Sequence, residues 1–250
     1  MIDCKLGIFL NCPHPEMIES VALSGFDFAV LDMEHSPLGP GDLYPLVVAA
    51  EVRNLQLVVR IPQKFDSYFK WCGDLNISCI QVPHVETADD VKFAIKNFFF
   101  APLGERGLSR FVRAANFSIT PKETYIAESN AKNRLILQIE GIRAMQNLEQ
   151  ILEVVPKEVS IFVGPYDLSQ SLGVPGQIWD KKVIKAMEEI IEKCNNKQVS
   201  VGTFTDTLEG LEFWSKKGVN FLEYASDLNL FIKSANQVVS DFARILARPE

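Results

Sequence analysis

The side chains best suited to charge stabilisation and proton transfer in this 250-residue sequence stand at the ends of short apolar runs. The run at residues 28–33 leads into Asp32-Met33-Glu34-His35. The next, 56–61, carries Val59-Arg60, and the one after it, 79–82, runs into Pro83-His84. The run at 135–139 ends in Gln138-Ile139-Glu140-Gly141, and that at 160–163 opens onto Gly164-Pro165-Tyr166-Asp167. Glu140 emerges directly from a dry strand, where an unpaired charge is costly. A cation shared between Glu140 and Asp167 would relieve that cost. Carboxylate oxygens without a Cys or His cluster suit a hard ion such as Mg²⁺ or Mn²⁺. Taken singly, each residue also has a plainer account. His35 could be a rim histidine, Arg60 could neutralise Asp32 or Glu34, and Glu140 and Asp167 could be solvated strand ends. His84, and His14 in a Pro-flanked turn, are assigned no chemistry.

The elements that must hold these groups follow from the hydrophobic pattern. Eight runs of four to six residues, at 6–10, 28–33, 56–61, 79–82, 135–139, 160–163, 199–204 and 221–225, are rich in Val, Ile, Leu or Phe without polar alternation. A strand buried on both faces has that composition. Helical patterns lie between them, at 16–23, 42–53, 67–75, 87–97, 144–155, 181–197, 207–217 and 227–247. The fourth opens with a capping-box spacing, Thr87 to Asp90. Eight strand–helix units in this length predict a (β/α)₈ TIM barrel occupying residues 1–250 as one domain. An open doubly wound sheet fits the alternation less well, since no G-x-G-x-x-G follows the first strand. In a barrel the chemistry gathers at the C-terminal ends of the strands, which brings these motifs to one mouth. Residues 98–134 break the rhythm with Pro102, Gly104, Gly107 and a separate helical pattern at 121–132. So long a connection points to function, and its first part, 98–118, is expected to line part of a substrate pocket, alone or with residues of a neighbouring subunit.

Composition narrows the class. Lys and Arg number 25 against 32 Asp and Glu, a net charge of −7, and form no run, which argues against a nucleic-acid partner. No stretch approaches the ~18 apolar residues of a membrane span. The opening Met1-Ile2-Asp3-Cys4-Lys5 has no signal-peptide pattern. Five cysteines without a C-x-x-C pair are expected to be reduced thiols, consistent with the cytoplasm.

The segment Phe26-Asp27-Phe28-Ala29-Val30-Leu31-Asp32-Met33-Glu34-His35-Ser36-Pro37 resembles the D-x-E-H-x-P stretch of the HpcH/HpaI aldolase/citrate lyase family, whose aldolases are class II, metal-dependent and pyruvate-using. Val59-Arg60, Pro102-Leu103-Gly104-Glu105-Arg106-Gly107, Gln138-Ile139-Glu140 and Gly164-Pro165-Tyr166-Asp167-Leu168-Ser169 match in the same order along nearly the whole chain. The resemblance implies that His35 is the catalytic base, that Arg60 stabilises the enolate oxygen and that Asp74 raises the histidine's basicity. It implies a substrate site of Gln138, Gly164, Pro165, Tyr166 and Asp167, with the Tyr166 backbone N–H receiving the pyruvate carboxylate. Glu140 and Asp167 match the metal-binding carboxylates, for Mg²⁺, Mn²⁺ or Co²⁺. The family fold is a barrel whose last helix is exchanged between subunits of a hexamer, a trimer of dimers. The wide apolar surface of 227–247, including Leu228, Phe231, Ile232, Val238, Val239, Phe242, Ile245 and Leu246, independently predicts a homo-oligomer.

The expected reaction is reversible cleavage of a 4-hydroxy-2-oxo acid into pyruvate and an aldehyde. No Lys falls at a strand end, which argues against a Schiff base. Relatives within the same superfamily cleave CoA thioesters such as malyl-CoA or citryl-CoA, and that chemistry is the alternative. A non-catalytic barrel that binds a small acid is the other.

Overall fold

A parallel strand buried on both faces needs helices to cover it, and the alternating sequence provides them. In a computed structural model that describes residues 4–247, eight parallel strands close into a barrel in sequential order. The opening residues 1–3, on which the reading of the chain's start partly rests, lie outside the described residues.

The strands are β1 (Lys5–Leu10), β2 (Phe28–Asp32), β3 (Gln56–Arg60), β4 (Cys79–Val82), β5 (Arg134–Ile139), β6 (Val159–Val163), β7 (Val201–Thr205) and β8 (Phe221–Ser226). Helices α1 (Pro15–Leu23), α2 (Leu43–Arg53), α3 (Asp66–Asp74) and α4 (Ala88–Phe98) follow the first four strands. The Thr87/Asp90 capping box forms as expected: Thr87 accepts the Asp90 N–H and Asp90 accepts the Thr87 N–H at 2.9 Å. The long connection carries a 3₁₀ segment, Arg113–Ser118, and α5 (Lys122–Lys132). The single helix expected at 144–155 is two, α6 (Ile142–Gln146) and α7 (Leu148–Glu153). Between them Asn147 leaves helical geometry and its side-chain amide donates to the Glu86 carbonyl at 2.9 Å. A short α8 (Pro165–Ser171) follows β6, where no helix was expected, and α9 (Lys181–Asn196), α10 (Leu208–Ser215) and α11 (Asp227–Leu246) complete the ring.

Register aligns the polar inner side chains. Asp32 of β2 pairs with Arg60 of β3, and Arg60 with Gln81 of β4. Below this level an apolar cluster that includes Phe28, Val58, Cys79, Ile136, Phe162 and Phe221 fills the barrel. The Phe28 ring occupies the space a Cβ on Gly7 would need, at 2.1 Å, and the Phe221 ring that of a Cβ on Gly202, at 2.3 Å. These rings plug the bottom. A cavity of about 260 Å³ below the plug and one of about 450 Å³ at the mouth share no lining residue.

Burial pushes the Cys72, Cys79 and Cys194 thiols up to about 12, so they are inert at neutral pH. Among the described residues no helix is long and apolar enough to cross a membrane.

Candidate active site

Arg60 organises the mouth. Its Nε donates to Asp32 Oδ1 at 2.8 Å and its Nη2 to Asp32 Oδ2 at 2.7 Å, a bidentate pair, while Nη1 lies 3.3 Å from Glu34 Oε2. The plainer account of Arg60 is thus realised, yet three contacts leave two of its five N–H bonds for a ligand. The guanidinium also lies 4.7 Å from the centre of the Phe9 ring. Burial pushes the Asp32 carboxyl up, but Arg60 overrides it and holds the group below its ordinary value. Asp32 also accepts the Glu34 and His35 backbone N–H groups, at 3.0 and 3.3 Å, and so fixes the start of the loop that carries His35. The His35 ring is 65% exposed, with Nε2 3.9 Å from Glu34 Oε2.

Glu140 is the buried carboxylate of the site. It accepts the His84 backbone N–H at 2.7 Å on Oε1 and a Gln138 amide N–H at 2.6 Å on Oε2. His84 Nδ1 stands 3.1 Å from Oε1, and its Nε2 reaches 3.2 Å from Glu34 Oε1. Burial pushes Glu140 up, but the His84 and Gln138 hydrogen bonds win and hold it below its ordinary value. In return the bond to Glu140 pushes the His84 imidazole up to about 9 against burial. His84 adopts the left-handed backbone region, φ 53°, costly for a residue with a Cβ. Burial drives Glu34 upward, with Arg60 opposing and Glu140 reinforcing.

Gly164 makes room for this carboxylate, because a Cβ there would stand 2.7 Å from Glu140 Oε2. Pro165, Tyr166 and Asp167 form the first turn of α8, where N–H groups have no partner four residues back. The Tyr166 hydroxyl donates to Asp206 Oδ2 at 3.2 Å.

The mouth cavity is lined by His35, Arg60, Gln138, Glu140, Gly164, Pro165, Tyr166 and Asp167, so every predicted site residue except Asp74 meets there. Asp74 ends α3 and pairs with the buried Arg106 at 2.8 Å. Among the described residues no hydrogen bond or ion pair joins Asp74 to His35. The expectation that residues 98–118 line the pocket is corrected: none of them does so within the chain. That segment is tied to the helical layer instead, through Arg106 and through Arg113, which bonds Glu51.

Sequence reasoning missed Phe9, Asn11, Phe204, Asp206, Ser226 and Asn229, which line the other side of the cavity. The strand-end rule applied to the first, seventh and eighth runs would have found most of them. It also assigned no role to His84. No lysine lines the cavity.

The two carboxylates expected to hold a cation fit one. Glu140 is ionised, buried and cradled by Gly164, and Asp167 lines the same cavity. Among the described residues no group of three or more His, Cys, Asp or Glu converges as a closed metal cage. Two carboxylates with open positions suit a hard ion that takes its remaining ligands from water and substrate.

The sequence profile of the HpcH/HpaI aldolase/citrate lyase family matches residues 5–234. The chain is 29% identical to a 2-keto-3-deoxy-L-rhamnonate aldolase of Klebsiella pneumoniae, over 99% of this chain and 92% of that protein. It is 28% identical to a hydroxypyruvate/pyruvate aldolase of Paraburkholderia phytofirmans, over 96% of this chain and 93% of that one. The crystal structure of an HpcH/HpaI aldolase/citrate lyase family protein from Burkholderia cenocepacia J2315 superposes with a TM-score of 0.91 at 27% identity, covering 96% of this chain and 95% of that chain.

Proposed function

The chain belongs to the HpcH/HpaI aldolase/citrate lyase family, and from that premise we propose how its mouth performs aldol chemistry. It is an aldolase, a carbon–carbon lyase that cleaves a hydroxy-oxo acid to pyruvate and an aldehyde. The proposed mechanism is metal-dependent, with a 4-hydroxy-2-oxo acid as substrate and residues 1–250 acting as one catalytic domain. The observation that carries it is the meeting of Arg60, Glu140, Asp167 and His35 around a single cavity of about 450 Å³.

Glu140 and Asp167 would hold a divalent cation, Mg²⁺, Mn²⁺ or Co²⁺. When bound, such an ion supplies Lewis-acid stabilisation of negative charge on a 2-oxo acid, worth several kcal/mol. Arg60 directs its two remaining N–H bonds at the oxygen where enolate charge develops. Its pairing with Asp32 holds the guanidinium in place beforehand, so little reorganisation is needed. Gln138 keeps one amide N–H for the bound acid, and the Tyr166 N–H at the start of α8 receives the carboxylate. His35, exposed at the rim, takes the C4 hydroxyl proton during cleavage and returns it during addition, a contribution of about 10²–10⁴-fold. The role expected for Asp74 is not retained within one chain, because its carboxylate is held by Arg106. Phe9, Phe162 and Phe204 limit water in the interior half of the cavity, with Asn11, Ser226 and Asn229 at its polar edge.

Assembly belongs to the same proposal. On α11, Phe231, Val239 and Phe242 are 71%, 68% and 60% exposed. So broad an uncovered apolar face is explained by a second subunit, within a cytoplasmic homo-oligomer built as a trimer of dimers.

Pyruvate alone tests the chemistry, because enolisation precedes bond formation. Its methyl protons should exchange with D₂O when Mg²⁺, Mn²⁺ or Co²⁺ is added, and EDTA should stop the exchange. Borohydride with pyruvate should not inactivate, since no imine forms. Exchange that persists in EDTA would sink the metal-dependent reading.

A further inference from the structure

Three buried polar side chains run up the inside of the barrel, Glu223 and Gln81 beneath the mouth and Gln138 at its floor. Glu223 on β8, Gln81 on β4 and Gln138 on β5 are 0%, 0% and 1% exposed. Gln81 Nε2 donates to Gln138 Oε1 at 2.8 Å and to Glu223 Oε2 at 3.4 Å. Gln138 Nε2 then donates to Glu140 Oε2 at 2.6 Å. The carboxyl groups at the two ends decide which way each amide faces. Were Gln138 reversed, its oxygen would meet the Glu140 carboxylate. Were Gln81 reversed, its oxygen would meet Gln138 Oε1. Each amide therefore has one orientation, with Gln81 donating both to Gln138 above it and to Glu223.

The array lacks one hydrogen. Gln81 Oε1 and Glu223 Oε1 are both buried without a donor. An ionised Glu223 would leave both acceptors unpaired and add a buried charge, a costly combination. Nor do its surroundings neutralise it. Arg60 on β3 attracts it but is committed to Asp32 and Glu34, Asp32 on β2 repels it, and the Cys79 thiol on β4 is neutral. A carboxylic acid carries the one hydrogen that is missing.

We propose that Glu223 is a neutral carboxylic acid that donates its O–H to Gln81 Oε1 while accepting a Gln81 N–H. This acid–amide pair makes Glu223 a positioning residue for Gln138 and, through it, for Glu140. Burial pushing the Glu223 carboxyl up to about 8 agrees with the pair. Only the kinetic consequence rests on the aldolase reading; the protonation state does not.

The decisive measurement is folding stability against pH for the whole protein and for Glu223→Gln. An unfolded glutamate titrates near ~4.3. The folded value lies above it, so the stability this group contributes is full below the unfolded value and is lost as pH rises through the folded one. Relative to Glu223→Gln, the folding constant of the parent should fall about tenfold per pH unit between about pH 5 and 7. The infrared spectrum of the parent at pH 6 should hold a protonated carboxyl C=O band that Glu223→Gln lacks. Parallel pH–stability curves, or no such band, overturn the neutral acid.

Positioning is read from pyruvate exchange. Glu223→Leu should lower kcat/KM for pyruvate about tenfold, and Glu223→Gln, which can rebuild both hydrogen bonds, should restore most of it. Should Glu223→Leu fail to fold, Glu223→Met, nearer to glutamate in length and leaving the Gln81 bond to Gln138 in place, should show the same loss. Full kcat/KM in whichever apolar variant at Glu223 folds overturns positioning. If the parent protein itself exchanges no pyruvate protons, the aldolase reading fails, and the stability and infrared results still decide the acid–amide pair.

Discussion

Replacing Gly164 by Ala probes the carboxylate cradle with one methyl group. The backbone there, φ −83° and ψ 99°, is open to alanine, so no strain arises from the chain itself. The new Cβ would instead stand 2.7 Å from Glu140 Oε2 and 3.0 Å from Glu140 Cβ, where ordinary contact begins at 3.4 Å. The difference, 3.4 − 2.7 = 0.7 Å, is the distance by which the carboxylate must retreat. Hydrogen bonds from His84 and Gln138 resist that retreat, so the strain is shared with Arg60's neighbours in the mouth. Misplacement by about 1 Å costs roughly 10²-fold in catalysis; a shift of this size should therefore lower kcat/KM for pyruvate exchange about 10- to 100-fold. Overpacking should cost about 1–3 kcal/mol of stability. Binding of Mn²⁺, followed by calorimetry, should weaken in parallel. Gly107→Ala is the control, since nothing lies within 4 Å of its added Cβ. If Gly164→Ala keeps kcat/KM and Mn²⁺ affinity within twofold, Glu140 is not where the chemistry is held.

His35→Ala should lower aldol cleavage at least about 10²-fold while thermal unfolding is unchanged, because only proton transfer is removed; near-full activity would mean the base is another group. Asp32→Asn should destabilise by about 1.5–3 kcal/mol, since Arg60 loses its bidentate charged partner and keeps only Glu34. Asp32 is held below its ordinary value, so the stability it provides is present above the unfolded carboxyl value near ~3.9 and is lost as pH falls through the folded one. Denaturation curves for the parent and Asp32→Asn should therefore converge in acid, and a constant gap down to pH 2 would contradict the pairing. Phe231→Glu with Phe242→Glu on α11 should dissociate the assembly in light scattering, whereas a parent protein that is already monomeric at micromolar concentration would remove the proposed interface.

Strand placement was legible in the sequence because burial on both faces leaves unbroken apolar runs, and strand ends are where barrel chemistry gathers. His35, Arg60, Gln138, Glu140 and Asp167 were found on that rule, and they share one cavity. What stayed hidden depends on where side chains turn. Asp74 could not be seen to face Arg106, because that pairing joins residues 32 positions apart. His84 looked incidental because its reach to both Glu34 and Glu140 comes from a left-handed backbone that no local motif announces. Residues 98–118 do not reach the pocket of their own chain; Arg106 and Arg113 tie the segment to the helical layer.

The phenylalanine plug has a consequence for the order of events. Because the cavities above and below it share no lining residue, the mouth is a dead end, and everything that reacts there must pass the same opening. The deeper ligand has to arrive first and depart last. Gln138 and Glu140 lie deeper than the exposed His35, which puts pyruvate beneath the aldehyde. In the cleavage direction the aldehyde leaves while pyruvate is still seated. In the synthetic direction an aldehyde that arrives early can only block the way. Steady-state kinetics should therefore be sequential and ordered, with pyruvate competing directly against the oxo acid as a product inhibitor and the aldehyde inhibiting in a mixed pattern.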